Sequence, residues 1–426
     1  MTTQKELTSD YWSNLMPHLS VLKKTASKTS TSTSTPTSTT IDHTRRLLNE
    51  GYFTTQLNLP PTLPAKLAQG ITQLRNAGWP ASFILMYDEA WELSNSASQI
   101  MSNLTTNTNN GDMLAWDIDP NRDEAGFSPH RDRQPIDITS SFHTNADTGL
   151  PSMPKYSTAW IALTNATPEN SCLYVVPKEY DPGYMTGDVD AMDPLQRCLP
   201  NKNGYQNIMA LPVNAGSGVF FSHRILHWGS RGRKGYAIPR MALSIACSTE
   251  DFEPSYFANP TEQLPYPALE VRLGLICGQC ICYHERFSFN GKQMKLFTKL
   301  WRELKCHFSS FYQKKVLKEM VQAIEEALQR DERGGGSSGG GSNSAGKDEV
   351  DGNKIEENED SDEDDDMLDA ALDAMLEGGD DMDFRDDYDD VGEGFEVEKD
   401  AGKGDEVEVE DPQPFAPSTK KQKLKR

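Results

Sequence analysis

The residues best suited to chemistry lie in the segment "FSPHRDRQP", residues 127–135, which contains the triplet His130, Arg131 and Asp132. If the triplet lies on a strand, His130 and Asp132 point to the same face, because alternate side chains of a strand do so. An imidazole and a carboxylate would then supply two of the three ligands of a 2-His-1-carboxylate iron site. Protein kinases also carry His-Arg-Asp, with the aspartate as catalytic base, and a polar turn is a third alternative. The triplet alone does not choose among them.

A third metal ligand would have to come from a later strand, and "GSGVFFSHRILHWGS", residues 216–230, offers His223 and His227. On a strand, residues four apart face the same side, so both histidines remain candidates. Arg240 then begins the strand-like run "RMALSIACS". An arginine can hold a carboxylate with two hydrogen bonds, each worth about 1.5–3 kcal/mol when charged. A 2-oxo acid could therefore chelate the metal while its far carboxylate meets Arg240.

The kinase alternative fails on its surroundings. The only G-x-G-x-x-G match, Gly334–Gly339, follows the triplet instead of preceding it, and no D-F-G accompanies it. A kinase needs the glycine-rich loop upstream and the D-F-G aspartate for magnesium. The triplet is therefore interpreted as part of a metal site or as a turn.

Periodicity indicates which elements must position these residues. Residues 42–49 and 62–77 have helical spacing, and residues 273–329 return to a helical pattern. Between them, short β-branched and aromatic runs separated by proline, glycine and asparagine predict strands. They are "STAWIALTNAT", "SCLYVVP", "NIMALPVNAGSGVFFS" and "RMALSIACS". This succession predicts an antiparallel sandwich or barrel.

The order and spacing of the motifs resemble the phytanoyl-CoA dioxygenase family of Fe(II)/2-oxoglutarate-dependent oxygenases. H-x-D is followed 97 residues after its histidine by His-x-Gly-Ser and then by the arginine that begins the next strand. Three further stretches, "RRLLNEGYFTT", "STAWIALTNATPENSCLYVVPKEY" and "PRMALSIACS", resemble family motifs in the family order. The resemblance covers roughly residues 45–283. It implies a mainly β fold, a double-stranded β-helix (jelly roll), with flanking helices.

The resemblance also assigns roles to individual residues. It implies that His130, Asp132 and His227 bind iron, and it favours His227 over His223 because Gly229 and Ser230 follow His227. It implies that 2-oxoglutarate is held by three further residues, with a salt bridge from Arg240, a wall formed by Trp160 and a hydrogen bond from Ser230.

The sequence departs from the family pattern at three places. The family's His-Gly-Ser is His-Trp-Gly-Ser here, and Asn-Gly before Cys172 is replaced by Asn170-Ser171. The Gly-Thr-His that follows the proline in the family is Lys-Glu-Tyr after Pro177. Because Asp132 is retained, the halide-binding variant of the family, which replaces this carboxylate with a small residue, is not expected here. The implied function is a dioxygenase that uses Fe(II), 2-oxoglutarate and O₂ to hydroxylate a small organic molecule, releasing succinate and CO₂. The alternative is a catalytically silent jelly-roll scaffold that acts through its acidic tail.

Composition divides the chain into four regions: a disordered Ser/Thr-rich extension at 1–40, a dioxygenase domain with C-terminal helices at 41–333, a Gly/Ser linker at 334–346, and an acidic disordered tail at 347–426. Residues 351–400 hold 24 acidic and 3 basic side chains and so carry most of the net charge of −22. The remainder is nearly neutral and has no nucleic-acid-binding signature. In the tail, residues 366–379 have helical spacing typical of a segment that folds onto a protein partner.

Cysteine usage and the chain termini predict an intracellular protein. Seven cysteines form no regular framework, and the N-terminal segment lacks the apolar stretch of a secretory signal. No apolar run is long enough to span a membrane. The terminal "KKQKLKR" indicates nuclear import, with the cytoplasm as the alternative. Cys277 and Cys280, in a C-x-x-C spacing, suit either zinc or the core of a helix, and the helical periodicity around them favours the core.

Overall fold

The computed structural model describes residues 6, 8–22, 38–122, 124–133, 138–145, 149, 151–188, 193–287 and 289–334. The Gly/Ser linker beyond Gly334, the acidic tail with its predicted helix at 366–379, and the basic "KKQKLKR" lie outside the described residues. The predictions made for them stay predictions.

The larger of two facing sheets has five antiparallel strands in the order β1-β8-β5-β10-β2. These strands are β1 Tyr52–Gln56, β2 Thr108–Ile118, β5 Tyr156–Ala162, β8 Ser217–Ser222 and β10 Arg240–Ser248. The central strands β5 and β10 are buried along almost their whole length, in keeping with the apolar runs that predicted them. The larger sheet therefore provides a wide, rigid wall.

The smaller sheet has three antiparallel strands in the order β7-β6-β9. They are β6 Leu173–Val176, β7 Met209–Leu211 and β9 Leu226–Gly229, and a hairpin of β3 Phe142–Thr144 and β4 Pro151–Pro154 lies apart from both sheets. A buried cluster that includes Trp160 and Phe221 of the larger sheet and Leu173 of the smaller sheet joins the two. Two antiparallel sheets packed face to face are the core expected of a jelly roll.

Helices surround this core. They are α1 Ser9–Leu15, α2 Ser38–Asn49, α3 Leu63–Asn76, α4 Asp88–Thr105, α5 Gly183–Thr186, α6 Pro194–Cys198, α7 Pro260–Gln263, α8 Leu269–Cys282, α9 Gly291–Leu304 and α10 Ser310–Gly334. About twice as many described residues lie in α-helices as in strands. The expectation of a mainly β domain is therefore corrected, although the antiparallel sheets are present. Among the described helices, none combines the length and apolarity that a membrane span requires.

Helix α1 lies in the segment predicted to be a disordered extension, residues 1–40, and the structure differs there. The Trp12 side chain is fully buried and stacks on Phe83 at 5.5 Å between ring centroids. The Tyr87 hydroxyl donates to the Trp12 carbonyl at 2.9 Å, and the Ser20 amide donates to Glu89 at 2.9 Å. Residues 8–22 are thus part of the folded domain.

Candidate metal centre

A cavity of about 170 Å³ opens between the two sheets. Alternate residues of three neighbouring strands face it, as the two-residue period of a strand requires. They are Asp112, Leu114 and Trp116 of β2, Tyr156, Thr158 and Trp160 of β5, and Arg240, Ser244 and Ala246 of β10. The smaller sheet contributes Leu173, His227 and Gly229. The cavity therefore has one wall from each sheet.

The His130–Asp132 segment reaches this cavity without forming a strand, which corrects the geometry assumed from the sequence. It is a loop that makes an isolated antiparallel bridge, with His130 opposite His227. Each of these two residues donates its amide hydrogen to the carbonyl of the other at 3.0 Å. Two backbone hydrogen bonds thus place the two histidines side by side, and their ring centroids are 4.3 Å apart.

The side chains of His130, Asp132 and His227 form a compact group of possible metal ligands, with one donor atom from each within 4.8 Å of the others. Asp132 Oδ1 lies 3.5 Å from His227 Nε2 and 3.8 Å from His130 Nε2. Two imidazole nitrogens and one carboxylate oxygen that converge on one point are the donor set of a facial iron triad. These are the three residues that the sequence predicted.

Hydrogen bonds at the far side of each ring turn the histidines toward this point. His130 Nδ1 lies 2.8 Å from the Ser128 carbonyl, and His227 Nδ1 lies 3.2 Å from the Ile225 carbonyl. Because a carbonyl can only accept, each Nδ1 carries the proton and Nε2 keeps its lone pair. Such contacts fix the tautomer and the ring orientation of a metal-binding histidine.

Asp132 is held as a carboxylate with one oxygen free. The Thr158 hydroxyl donates to Oδ2 at 2.5 Å, so that Oδ1 faces the histidines. Burial opposes ionisation of Asp132, but His227, His130 and the Thr158 hydroxyl together hold its pKa below the ordinary value. Burial, followed by the neighbouring His227, lowers the pKa of His130. An ionised carboxylate and a neutral imidazole are the protonation states that bind a metal.

Arg240 lies on the same wall with unused hydrogen-bonding capacity. Its side chain is buried, its Nε has no hydrogen-bond partner among the described residues, and its guanidinium lies 5.3 Å from the centroid of the Trp160 ring. Burial lowers the pKa of Arg240 to about 10, with partial compensation from Cys172 and Asp117. Burying a cation costs free energy unless an anion pairs with it. Arg240 and Trp160 therefore stand where the sequence predicted an anion site.

Ser230 does not reach the cavity, unlike the other predicted site residues. Its hydroxyl bonds to the Tyr174 phenol, and its carbonyl accepts from the Gly126 amide at 3.1 Å. The extra residue in His-Trp-Gly-Ser thus leaves Ser230 outside the lining, and the structure does not bring it to Arg240.

The second departure from the family pattern has a backbone explanation. Ser171 stands where the family has glycine, and its φ is +71°, in the left-handed region that glycine adopts without steric cost. The turn before Cys172 therefore keeps the glycine-like conformation despite the serine.

His223, the alternative third ligand, neither lines the cavity nor belongs to the donor group. It is fully buried, its Nδ1 lies 2.8 Å from the Tyr156 carbonyl, and its ring lies 5.1 Å from that of Phe252. Burial lowers its pKa to about 3. His223 is not part of the group of donor atoms around Asp132, so the structure separates the two histidines that sequence spacing could not.

The guanidinium of Arg131, the middle residue of the triplet, pairs with carboxylates outside the candidate ligand group, although Arg131 lines the cavity. Its buried guanidinium forms ion pairs with Asp181 at 2.6 Å and Asp188 at 2.8 Å. These contacts attach the loop that contains His130 and Asp132 to the segment that contains α5. Arg131 thus has a positioning role.

Three residues near the centre had no signal in the sequence: Asp112, Arg133 and Glu253. Arg133 bonds to Glu253 at 2.5 Å and to Asp112 at 2.9 Å, and the Tyr283 hydroxyl donates to Asp112 at 2.8 Å. Arg133 is therefore fully paired although it lines the cavity. Only the fold brings these distant residues together.

A close approach of two glycines controls how the metal-binding loop meets β9. A Cβ added to Gly229 would lie 2.7 Å from Gly126 Cα and 3.0 Å from the Ser171 hydroxyl. Gly229→Ala is expected to push the loop away from His227, lowering iron affinity by about 10-fold or more and stability by about 1–3 kcal/mol. Iron titration and thermal unfolding measure the two effects.

Gly235→Ala is the matched control for that substitution. Gly235 has a positive φ, +90°, unlike Gly229, and nothing lies within 4 Å of an added Cβ. This variant should lose stability through backbone strain and keep the iron affinity of the wild type. Equal iron affinity in both variants would contradict the role given to the glycine contact.

The C-x-x-C hypothesis of a zinc site is not supported. Cys277 and Cys280 are fully buried in α8 and belong to no metal-capable group among the described residues. Burial raises the pKa of the Cys280 thiol, which opposes the thiolate that zinc requires. A second metal-capable group, His284, Glu285 and Glu326, lies nearby, where His284 Nε2 is 3.5 Å from Glu326 as in an ordinary ion pair.

Part of the chain matches a known family model. Residues 76–240 match the family model described as phytanoyl-CoA dioxygenase (PhyH), and the matched segment contains His130, Asp132, His227 and Arg240. A search of curated proteins found no match.

Among solved structures, the chain is similar to the epimerase SnoN in complex with Fe³⁺, alpha ketoglutarate and nogalamycin RO, at 16% identity and a TM-score of 0.36, over 49% of this chain and 83% of that one. HygX from Streptomyces hygroscopicus with nickel and 2-oxoglutarate bound is similar at 12% identity and a TM-score of 0.36, over 49% of this chain and 86% of HygX. EctD from S. alaskensis with 2-oxoglutarate and 5-hydroxyectoine is similar at 14% identity and a TM-score of 0.36, over 53% of this chain and 80% of EctD.

Proposed function

Because residues 76–240 match the phytanoyl-CoA dioxygenase family model, we propose that the chain is a member of this family, a non-haem Fe(II)- and 2-oxoglutarate-dependent oxygenase that hydroxylates a small organic molecule. One observation carries the proposal: His130, Asp132 and His227 converge in a cavity that also holds the guanidinium of Arg240, which has no carboxylate partner among the described residues. A metal triad and an anion site in one cavity are what a chelating 2-oxo acid requires.

The residues present fit the proposed cofactor. Both imidazoles direct Nε2, and Asp132 directs Oδ1, toward the same point, and three protein ligands leave further coordination positions open. With iron and both co-substrates bound, the centre supplies the oxidant that takes hydrogen from a substrate C–H bond while 2-oxoglutarate becomes succinate and CO₂.

The chain's own residues bind and orient the reactants. Arg240 binds the far carboxylate of 2-oxoglutarate, and Trp160 supports the guanidinium from one side. Thr158 keeps Oδ2 of Asp132 engaged, so that the aspartate offers a single oxygen to the metal. Apolar lining residues such as Leu114 and Phe221 exclude water from the cavity, which strengthens the ion pair made by Arg240.

The proposal is tested with the purified full-length chain. Anaerobic titration is expected to give one Fe(II) and, with iron present, one 2-oxoglutarate per chain. Aerobic incubation of the loaded protein with metabolite extracts should give succinate and a product heavier by one oxygen atom, both dependent on 2-oxoglutarate. Absence of 2-oxoglutarate binding to the iron-loaded protein would refute the proposal.

The alternative of a catalytically silent scaffold is not supported. A silent site need not keep two oriented histidines, an ionised aspartate and a buried arginine together, and this chain keeps all four. A protein partner for residues 366–379 and a nuclear location remain separate proposals, which rest on the amphipathic tail segment and the basic terminus.

A further inference from the structure

The charges of the cavity do not balance. Four arginines line it, and two of them are paired: Arg131 with Asp181 and Asp188, and Arg133 with Glu253 and Asp112. The other two, Arg240 and Arg286, pair with no carboxylate among the residues that the structure describes. One 2-oxoglutarate accounts for Arg240 only, so Arg286 is left without a carboxylate partner among the described residues or from the co-substrate.

Arg286 lies at the mouth of the cavity. It ends a short 3-10 helix, His284–Arg286, which follows α8, and its side chain is exposed although it contributes to the lining. Its guanidinium lies 4.9 Å from the centroid of the Phe127 ring. That ring contacts the His130 ring at 5.5 Å between centroids, so the unpaired charge is separated from the metal centre by a single side chain.

An aromatic wall continues from Arg286. Trp116 contacts Phe127 edge to face at 4.6 Å and stacks on Phe287 at 5.5 Å with an interplanar angle of 13°. Trp116 and Phe127 both line the cavity. A ligand entering here therefore meets a cation and an apolar surface beside each other, on the approach to the metal.

We propose that the primary substrate carries an oxyanionic group, a carboxylate or a phosphate, which Arg286 binds at the mouth while an adjoining apolar part lies against Trp116 and Phe127. This inference rests on the proposed function, because it assigns the second anion of the same cavity. Arg286 thereby holds the substrate at its charged end, and the C–H bond to be oxidised lies in the apolar part, between Arg286 and the metal. Neutral analogues of the same shape lose the contact with Arg286.

The test compares the binding of small anionic and neutral probes to the full-length protein under anaerobic conditions. The protein is loaded with Fe(II) and saturated with 2-oxoglutarate, so that Arg240 is already engaged by the co-substrate. The probes are phenylacetate, phenyl phosphate and the neutral phenylacetamide, and binding is followed by protein fluorescence, since Trp116 lies in the wall. The wild type is expected to bind at least one anion about 10-fold more tightly than the amide, the effect of one charged hydrogen bond at an exposed site. The anion that binds more tightly shows whether the anionic group of the substrate is a carboxylate or a phosphate.

Two substitutions at the site and one elsewhere complete the design. Arg286→Gln should bring the preference for the anion down to about one, and Arg286→Lys should keep most of it. Arg45→Gln removes an exposed arginine of α2, paired with Asp42 at 2.6 Å, and should bind all three probes as the wild type does. The dissociation constant of 2-oxoglutarate is measured in the same samples.

Two failures can be told apart. If the iron-loaded wild type binds 2-oxoglutarate but shows no preference for either anion, or if Arg286→Gln keeps the preference, the inference is overturned and the proposed function stands. If the wild type does not bind 2-oxoglutarate, the proposed function fails and the inference fails with it.

Discussion

Replacing His227 with alanine is expected to lower the affinity for Fe(II) by more than about 100-fold and to abolish succinate formation. Loss of a residue that only orients a ligand costs about 10–100-fold in metal affinity, and His227 supplies a coordinating atom itself. Its Nε2 lies 3.5 Å from Asp132 Oδ1, on the shared side of the group. Anaerobic iron titration measures the affinity, and succinate is quantified after aerobic incubation with 2-oxoglutarate.

His223→Asn is the matched control for His227→Ala. His223 is as deeply buried, but its Nδ1 contacts the Tyr156 carbonyl, and an asparagine amide can keep a donor at that position. This variant should lose some stability and retain iron affinity within about 3-fold of the wild type, since His223 lies outside the donor group. If His223→Asn lost iron and His227→Ala kept it, the assignment of the third ligand would be reversed.

Arg240→Gln is expected to raise the dissociation constant of 2-oxoglutarate by about 10- to 100-fold and to leave iron affinity nearly unchanged. A charged hydrogen bond contributes about 1.5–3 kcal/mol, and tenfold in affinity corresponds to about 1.4 kcal/mol. Arg240 is only 4% exposed, so water does not replace the lost contact. Titration of the iron-loaded variant with 2-oxoglutarate under anaerobic conditions gives the constant.

Arg272→Gln is the control that separates loss of the anion site from the general effect of removing a buried arginine. Arg272 is also buried, lies on α8 and pairs with Asp88 at 2.7 Å, but it does not line the cavity. Breaking this pair should destabilise the fold by about 3–5 kcal/mol and leave the 2-oxoglutarate affinity of the folded protein unchanged. The anion site would lie elsewhere if Arg240→Gln bound 2-oxoglutarate as the wild type does.

The strands and helices with regular periodicity were predictable from the sequence, because their burial follows a local pattern. The run that begins at Arg240 is β10, and the helical spacing at 62–77 is α3. The candidate metal ligands were predictable for another reason, since the chemistry of the triad restricts residue type and order. His130, Asp132 and His227 are the donor group that the structure brings together.

Features that depend on tertiary contacts were not predictable in this way. The polar segment around α1 gave no reason to expect a fully buried Trp12, whose burial comes from a hydrophobic surface formed by distant residues such as Phe83. Thr158 is an ordinary strand residue until the fold places Asp132 beside it. A strand was only one of the arrangements open to the His130 segment, and a single bridge to β9 suffices to hold it.

That bridge lets surface loops between the two histidines change in length. The candidate ligands are joined by backbone hydrogen bonds across the bridge, so a loop that contacts neither the ligands nor Arg131 can lengthen without displacing them. The entropic free-energy cost of closing a flexible loop rises slowly, by about 0.6 kcal/mol for each doubling of the loop length. Residues 199–207, which precede β7 and lie beyond the partners of Arg131, are therefore a position where an insertion could enlarge or reshape the surface around the cavity without displacing a ligand. In this architecture, recognition of the substrate can diversify by changes in loop length while the metal ligands stay fixed.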